Sequence, residues 1–268
     1  MADTANRSLT AAAAALAMPA CVALLLLCSG PARAAPPVTP EERAAAFPPM
    51  PPGADHMHGT LIDGTLLAEE LEWQARDGRD ALKWDLTGWV GSDMHRLWLR
   101  DEGEHSRGSQ VGNRLELFYG QPVAAWWDAV AGLRVDTGPG PSRTYLAIGL
   151  QGLAPQWFHV EATGYLGEGG QLGLRLKGEY DWLFTNRLIL TGRVEAEAWS
   201  DDDPRAGIGS GIGEVTAGLR LRYELRREFA PYVGVEWAGI HGDTADLARA
   251  HGEDRHDRRF VVGLRAWF

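Results

Sequence analysis

From Leu71 to the C-terminus the chain repeats an apolar–polar alternation of period two, in blocks of about ten residues, and this pattern limits the fold more than any other feature. In Gln171 to Trp182, residues Leu172, Leu174, Leu176, Tyr180 and Trp182 oppose Arg175, Lys177 and Glu179. In Arg187 to Trp199, Leu188, Leu190, Val194, Ala196 and Ala198 oppose Arg187, Arg193, Glu195 and Glu197. In Ala217 to Arg226, Leu219, Leu221, Tyr223 and Leu225 oppose Arg220, Arg222, Glu224 and Arg226. Successive side chains of a strand point to opposite faces, so each block is a strand with one apolar and one charged side.

The alternation predicts twelve strands, near 69–76, 81–90, 94–104, 111–120, 125–136, 143–152, 156–166, 170–182, 187–199, 212–226, 230–240 and 258–268. Alternate connections are short: Gly91-Ser92-Asp93, Gln121 to Ala124, Leu153 to Pro155, Leu183 to Asn186 and Arg227 to Phe229. The opposite set holds the long ones, Ser200 to Gly211 and His241 to Asp257. An even strand number with short turns at one end and longer loops at the other describes an all-β, antiparallel up-and-down barrel of the outer-membrane type.

A soluble barrel would bury the apolar face instead. Three features favour lipid on that face. Aromatics crowd the short-turn end (Tyr119, Trp126, Trp127, Trp157, Phe158, Trp182, Phe184, Tyr232 and Trp267), as in an interfacial girdle. The last strand ends on Phe268, with Phe260, Val262, Leu264 and Ala266 on the same face, like the assembly signal of outer-membrane barrels. Both charge signs share the polar face (Arg134 and Asp136, Arg193 and Glu195, Arg222 and Glu224), so a self-paired lumen is available, either a plug of ion pairs or a narrow polar path.

Ahead of the barrel, Arg7, the apolar run Leu9 to Leu27 and the small-residue site Ala32-Arg33-Ala34 describe a secretory signal peptide over residues 1–34. A retained membrane anchor is the rival reading, and lipidation of Cys28 a weaker one, since Leu27 stands where a small residue is wanted. Both cysteines, Cys21 and Cys28, lie in this segment, so the mature chain would carry no thiol, which suits an oxidising compartment. Residues 35–66 are a proline-rich arm that cannot enter a sheet, expected to be disordered and periplasmic, and residues 67–268 are the barrel. With both termini on the short-turn side, both are expected in the periplasm. A net charge of -10 argues against nucleic acid as a partner. Of the 26 basic residues, only Lys83 and Lys177 are lysine. Arginine's planar fork suits enclosed, multiply paired carboxylates, though a GC-rich genome would bias composition the same way.

No catalytic constellation stands out. His159 and Glu161 share the polar face of one strand and form a conceivable dyad, with a hydrogen-bonded lumen pair as the plainer reading. The run Gly207 to Gly213 lacks the lysine of a phosphate loop and reads as a flexible outer loop. His56-Met57-His58 joins imidazole and thioether, the donors that suit copper, Met for Cu(I) and His for either oxidation state. Met50 and Asp55 lie close enough in the arm to join them. In the last outer loop His241, His251 and His256, with Asp243, Asp246, Glu253, Asp254 and Asp257, are candidates for a divalent cation, a solvated acidic loop being the alternative.

The strand sequences resemble the copper resistance protein B family of outer-membrane proteins. The similarity rests on Asp80-Ala81-Leu82-Lys83-Trp84-Asp85, Arg96-Leu97-Trp98-Leu99-Arg100, Tyr119-Gly120-Gln121-Pro122-Val123 and Trp126-Trp127-Asp128. It continues through Gly140-Pro141-Ser142-Arg143-Thr144, Gly152-Leu153-Ala154-Pro155, Thr185-Asn186-Arg187-Leu188, Gly218 to Glu224, Arg227 to Tyr232 and Thr244 to Ala248. The resemblance implies a non-enzymatic outer-membrane protein of copper resistance and homeostasis. Such a protein would sequester copper ions, as Cu(I) or Cu(II), or pass them across the membrane. Its partners would be outer-membrane lipid and a periplasmic copper carrier or oxidase. It also strengthens His56, Met57 and His58 as ligands, because similar proteins carry Met/His-rich segments ahead of the barrel. Here that segment is one short cluster, which argues against high-capacity binding by the arm. The lumen candidates are Met94, His95, His159 and Glu161. A general porin-like channel and an outer-membrane hydrolase are the competing classes.

Overall fold

The computed structural model describes residues 39–42, 61–76, 80–106, 112–138, 140–250 and 255–268. The expected signal peptide and nearly all of the arm lie outside the described residues.

Twelve antiparallel strands close into a barrel in chain order. They are β1 (Asp63–Ala75), β2 (Ala81–Gly91), β3 (Arg96–Ser106), β4 (Gly112–Ala124), β5 (Trp127–Thr137), β6 (Arg143–Ala154), β7 (Phe158–Gly167), β8 (Leu172–Leu183), β9 (Leu188–Trp199), β10 (Gly211–Tyr223), β11 (Phe229–Ile240) and β12 (His256–Trp267). The seam joins β1 to β12 from Leu67↔Trp267 to Ala75↔Phe260. It runs to the last residue, where the Phe268 amide donates to the Leu66 carbonyl at 2.8 Å and the Leu66 amide donates back at 3.0 Å. Closure leaves no unpaired strand edge, which a structure in hydrocarbon requires.

The alternation sorts as expected. Leu146, Ile148, Leu174, Leu176, Val194, Val233, Phe260 and Val262 are exposed on the outer wall, while Glu116, Arg134, Arg175 and Arg220 are buried inside. An apolar exterior around a charged interior inverts the order of a soluble protein and matches a lipid-facing surface. Within the girdle, Tyr119, Trp126, Trp157, Trp182, Phe184 and Trp267 are exposed. Trp127 and Phe158 are half-buried, and Tyr232 points inward, is buried, and donates its hydroxyl to Glu72 at 3.0 Å.

Three local features depart from expectation. First, β1 starts at Asp63, six residues before the expected strand. A bulge after Ala68 shifts its register with both neighbours, so inward positions switch from Thr65, Leu67 and Glu69 to Glu70, Glu72 and Gln74. That switch breaks the period-two pattern, which hid the first half of the strand. Second, the long β11–β12 connection contains a helix, α1 (Gly242–Ala250), with Ala245 and Ala248 buried. Third, the glycine-rich run before β10 is docked rather than free. The Gly209 amide donates to Thr244 Oγ1 at 2.9 Å, and Ser210 Oγ donates to Asp243 at 2.7 Å. A Cβ at Gly209 would stand 2.0 Å from the Thr244 backbone nitrogen, so only glycine permits this approach.

Candidate functional site

A layer of ion pairs lies between two large cavities of the barrel interior. The cavity at the short-turn end, about 560 Å³, is lined by Glu69, Arg96, Arg100, Asp128, His159, Glu161, Lys177, Glu179 and Arg265 among others. The cavity toward the long loops, about 400 Å³, is lined by Lys83, Glu102, Arg114, Asp136, Glu195, Glu197, Glu214, Glu236 and Arg259 among others. No residue lines both.

The septum between them is built on the β1 bulge. Glu69 accepts from Arg193 at 2.6 Å and Lys177 at 3.3 Å. Glu70, 1% exposed, faces Arg193 at 2.7 Å, Arg220 at 2.9 Å and Lys83 at 3.0 Å. Asp85 accepts from Lys177 and Arg193, both at 3.1 Å. Arg220 also forks onto Glu72 and reaches Glu236 at 2.7 Å. Toward the long loops, Arg175 bridges both Glu102 oxygens at 2.7 Å and Glu195 at 2.6 Å. Arg134 holds Asp136 and Glu197 while stacking 4.5 Å from the centroid of Tyr165, with Tyr145 and Trp199 beside it. Charges taken out of water are tolerated only when so paired. Of the two lumen types open to the sequence, the middle of the barrel is thus a plug of ion pairs.

The expected site residues fall in different places. His56, Met57, His58, Met50 and Asp55 lie outside the described residues. His159 and Glu161 do line one cavity, but Glu161 is engaged by Arg100 at 2.9 Å. No hydrogen bond joins His159 to Glu161 among the described residues, so the dyad geometry of a hydrolase is not formed there. Met94 and His95 are not lumen residues. They occupy the β2–β3 turn, with Met94 exposed and the His95 ring hydrogen-bonded to the hydroxyl of the exposed Tyr119, alongside Gln121. In the last outer loop, the His241 and His256 rings are 6.4 Å apart. The acids around them are otherwise engaged: Asp243 with Ser210, Asp246 with Arg249 and Arg255, Asp257 with Arg259 and Arg76. His251, Glu253 and Asp254 lie outside the described residues.

Among the described residues, three potential ligand atoms of His, Asp or Glu come within 4.8 Å of one another at Glu70, Glu72 and Glu236. That set is all oxygen and already neutralised by Arg220 and Lys83. Copper's preferred nitrogen and sulfur donors are not gathered among the described residues of the lumen. Sequence reasoning missed the septum's centre, Glu69, Glu70 and Asp85. One signal was available: two consecutive acids inside an alternating strand mark a bulge that turns both to one side.

Comparison with known proteins gives a consistent answer. Residues 62–268 match the family model described as copper resistance protein B precursor (CopB). Copper resistance protein B of Escherichia coli is 45% identical over 233 residues, covering 87% of this chain and 78% of its own. A copper resistance protein B homolog of Pseudomonas syringae pv. tomato is also 45% identical over 233 residues, covering 87% and 79%. Among solved structures, the NanC porin aligns with a TM-score of 0.51 at 13% identity over 75% of this chain and 98% of that one, a likeness of fold alone.

Proposed function

The chain belongs to the copper resistance protein B family, and from that premise we propose that it acts in the outer membrane as a non-enzymatic copper-binding protein, catching copper on its periplasmic arm and delivering it to the short-turn mouth of the barrel. A role in copper resistance follows from the family; capture by the arm is our reading. The observation that carries it is the position of His56-Met57-His58, five residues before β1 starts at Asp63. Imidazole and thioether donors are thereby tethered to the barrel end whose cavity presents His159. The short-turn end and both chain ends face the periplasm in this reading, as in barrels with short periplasmic turns and longer outer loops. A freely open porin is disfavoured by the ion-pair septum across the lumen.

The test is copper binding to the refolded barrel in detergent, comparing residues 35–268 with a chain beginning at Thr60. Binding lost with the arm supports capture at His56, Met57 and His58. Binding of equal strength by both forms would move the site into the barrel. In cells, changing His56 and His58 to Ala is expected to lower copper tolerance; unchanged tolerance would remove the arm from the function.

A further inference from the structure

The two lysines of this arginine-rich chain both sit in the septum, one on each side. Lys83, on β2, lines the long-loop cavity, and Lys177, on β8, lines the short-turn cavity. Strands β2 and β8 are half the barrel apart in the ring. Both ammonium groups converge on the β1 bulge. Lys83 Nζ stands 3.0 Å from Glu70 and 3.3 Å from Glu236, and Lys177 Nζ stands 3.1 Å from Asp85 and 3.3 Å from Glu69.

Three of the arginines around them are held differently, while Arg193 shares Glu69, Glu70 and Asp85 with the lysines through one contact to each. Arg175 bridges both oxygens of Glu102 at 2.7 Å, and Arg220 and Arg134 grip their carboxylates with forked pairs. Releasing a fork breaks two directional bonds at once, whereas a lysine is a point charge on a flexible stem. Each lysine also has an adjoining cavity to enter. Lys83 is already 25% exposed, and Lys177 8%.

We propose that Lys83 and Lys177 are tethered cations that gate the lumen. Each ammonium occupies a carboxylate site that it shares with an arginine, Glu70 and Glu236 with Arg220 on the long-loop side and Glu69 and Asp85 with Arg193 on the short-turn side. A small permeating cation takes that site when the lysine swings into the cavity it lines. Such exchange keeps the buried carboxylates neutralised throughout, so the ion never crosses an unpaired layer. The forked arginines stay in place as the frame. The ligand class is a small hydrated metal cation, and the inference is independent of copper capture by the arm.

The experiment is conductance of the full chain, purified from outer membranes, in planar bilayers with KCl and then MgCl2. Lys83→Met and Lys177→Met each remove a plug while leaving the carboxylates, and cation conductance is expected to rise about tenfold in each. Lys83→Arg and Lys177→Arg keep the charge but add a fork, and are expected to conduct no more than the parent. Met variants that conduct like the parent, or Arg variants that conduct like the Met variants, would overturn the gate. If a Met variant does not fold, acetylation of the folded parent replaces it, because Lys83 and Lys177 are the only side-chain amines. Mass spectrometry should find both acetylated in the folded protein, with conductance raised. Lysines that react only after unfolding would show them locked and sink the proposal.

Discussion

Glu69 and Glu70 are adjacent in the chain, yet both carboxylates enter the lumen, Glu69 to meet Arg193 at 2.6 Å and Glu70 to meet the same guanidinium at 2.7 Å. Ideal strand geometry would send one of them into lipid, at a cost of kilocalories. The bulge after Ala68 turns both inward and makes β1 the acidic spine of the septum.

Glu70→Leu is therefore expected to destabilise the barrel severely. It leaves Lys83, Arg193 and Arg220 short of a carboxylate that is 1% exposed. Removing one partner of a buried pair costs about 3–5 kcal/mol. Urea unfolding of the refolded protein in lipid vesicles measures it, and a loss below about 1 kcal/mol would contradict a tightly paired septum.

On the outer wall, Ile148 is 69% exposed near the middle of β6. Ile148→Arg is expected to cost about 2–4 kcal/mol of folding free energy in vesicles, the cost of an arginine on a lipid-facing wall near mid-bilayer. The same change on a water-facing surface would fall within about 0.5 kcal/mol, so this variant tests which solvent the apolar wall meets.

Two glycines separate packing from general strand effects. Gly209→Ala places a Cβ 2.0 Å from the Thr244 nitrogen and is expected to lift α1 off the β9–β10 connection. Limited proteolysis should then cut within residues 242–250 while the barrel stays resistant. Gly178→Ala, with nothing within 4 Å of the added carbon, should leave both the cleavage pattern and stability unchanged.

Asp101 shares the outward face of β3 with Leu97 and Leu99, where Trp84 Nε1 donates to its Oδ2 at 3.0 Å. Its Oδ1 is buried without a hydrogen-bond partner. A carboxylate so placed costs more in desolvation than one indole bond returns, so Asp101→Leu is expected to stabilise the barrel in vesicles by about 1–2 kcal/mol. A comparable loss of stability would show instead that the Trp84–Asp101 bond is needed for folding.

Much of this was legible in the sequence. Eleven of the strands are where the alternation puts them, to within a few residues, because the alternation is imposed locally by lipid on one side and charge on the other. The exceptions have particular causes. The early half of β1 was hidden by the bulge, and Tyr232 stands at a girdle position but turns in to Glu72. The α1 helix, with its two buried alanines, gave no periodic signal strong enough to distinguish it from loop. For the site, His56, Met57 and His58 lie outside the described residues, and Met94 and His95 were misplaced into the lumen because a turn ends the strand parity there.

By itself, then, the sequence determined the strand number, the closure of the sheet, which wall is apolar, and the family, since each is written in short-range pattern or shared residues. Only the tertiary structure decided who pairs with whom inside. Arg193 meets Glu69 across 124 residues and Arg220 meets Glu72 across 148, contacts that exist because the closed ring brings non-neighbouring strands within reach of one guanidinium. No local pattern records such a distance. That is why the same charges fit an open path or a plug until the closed ring drew them together.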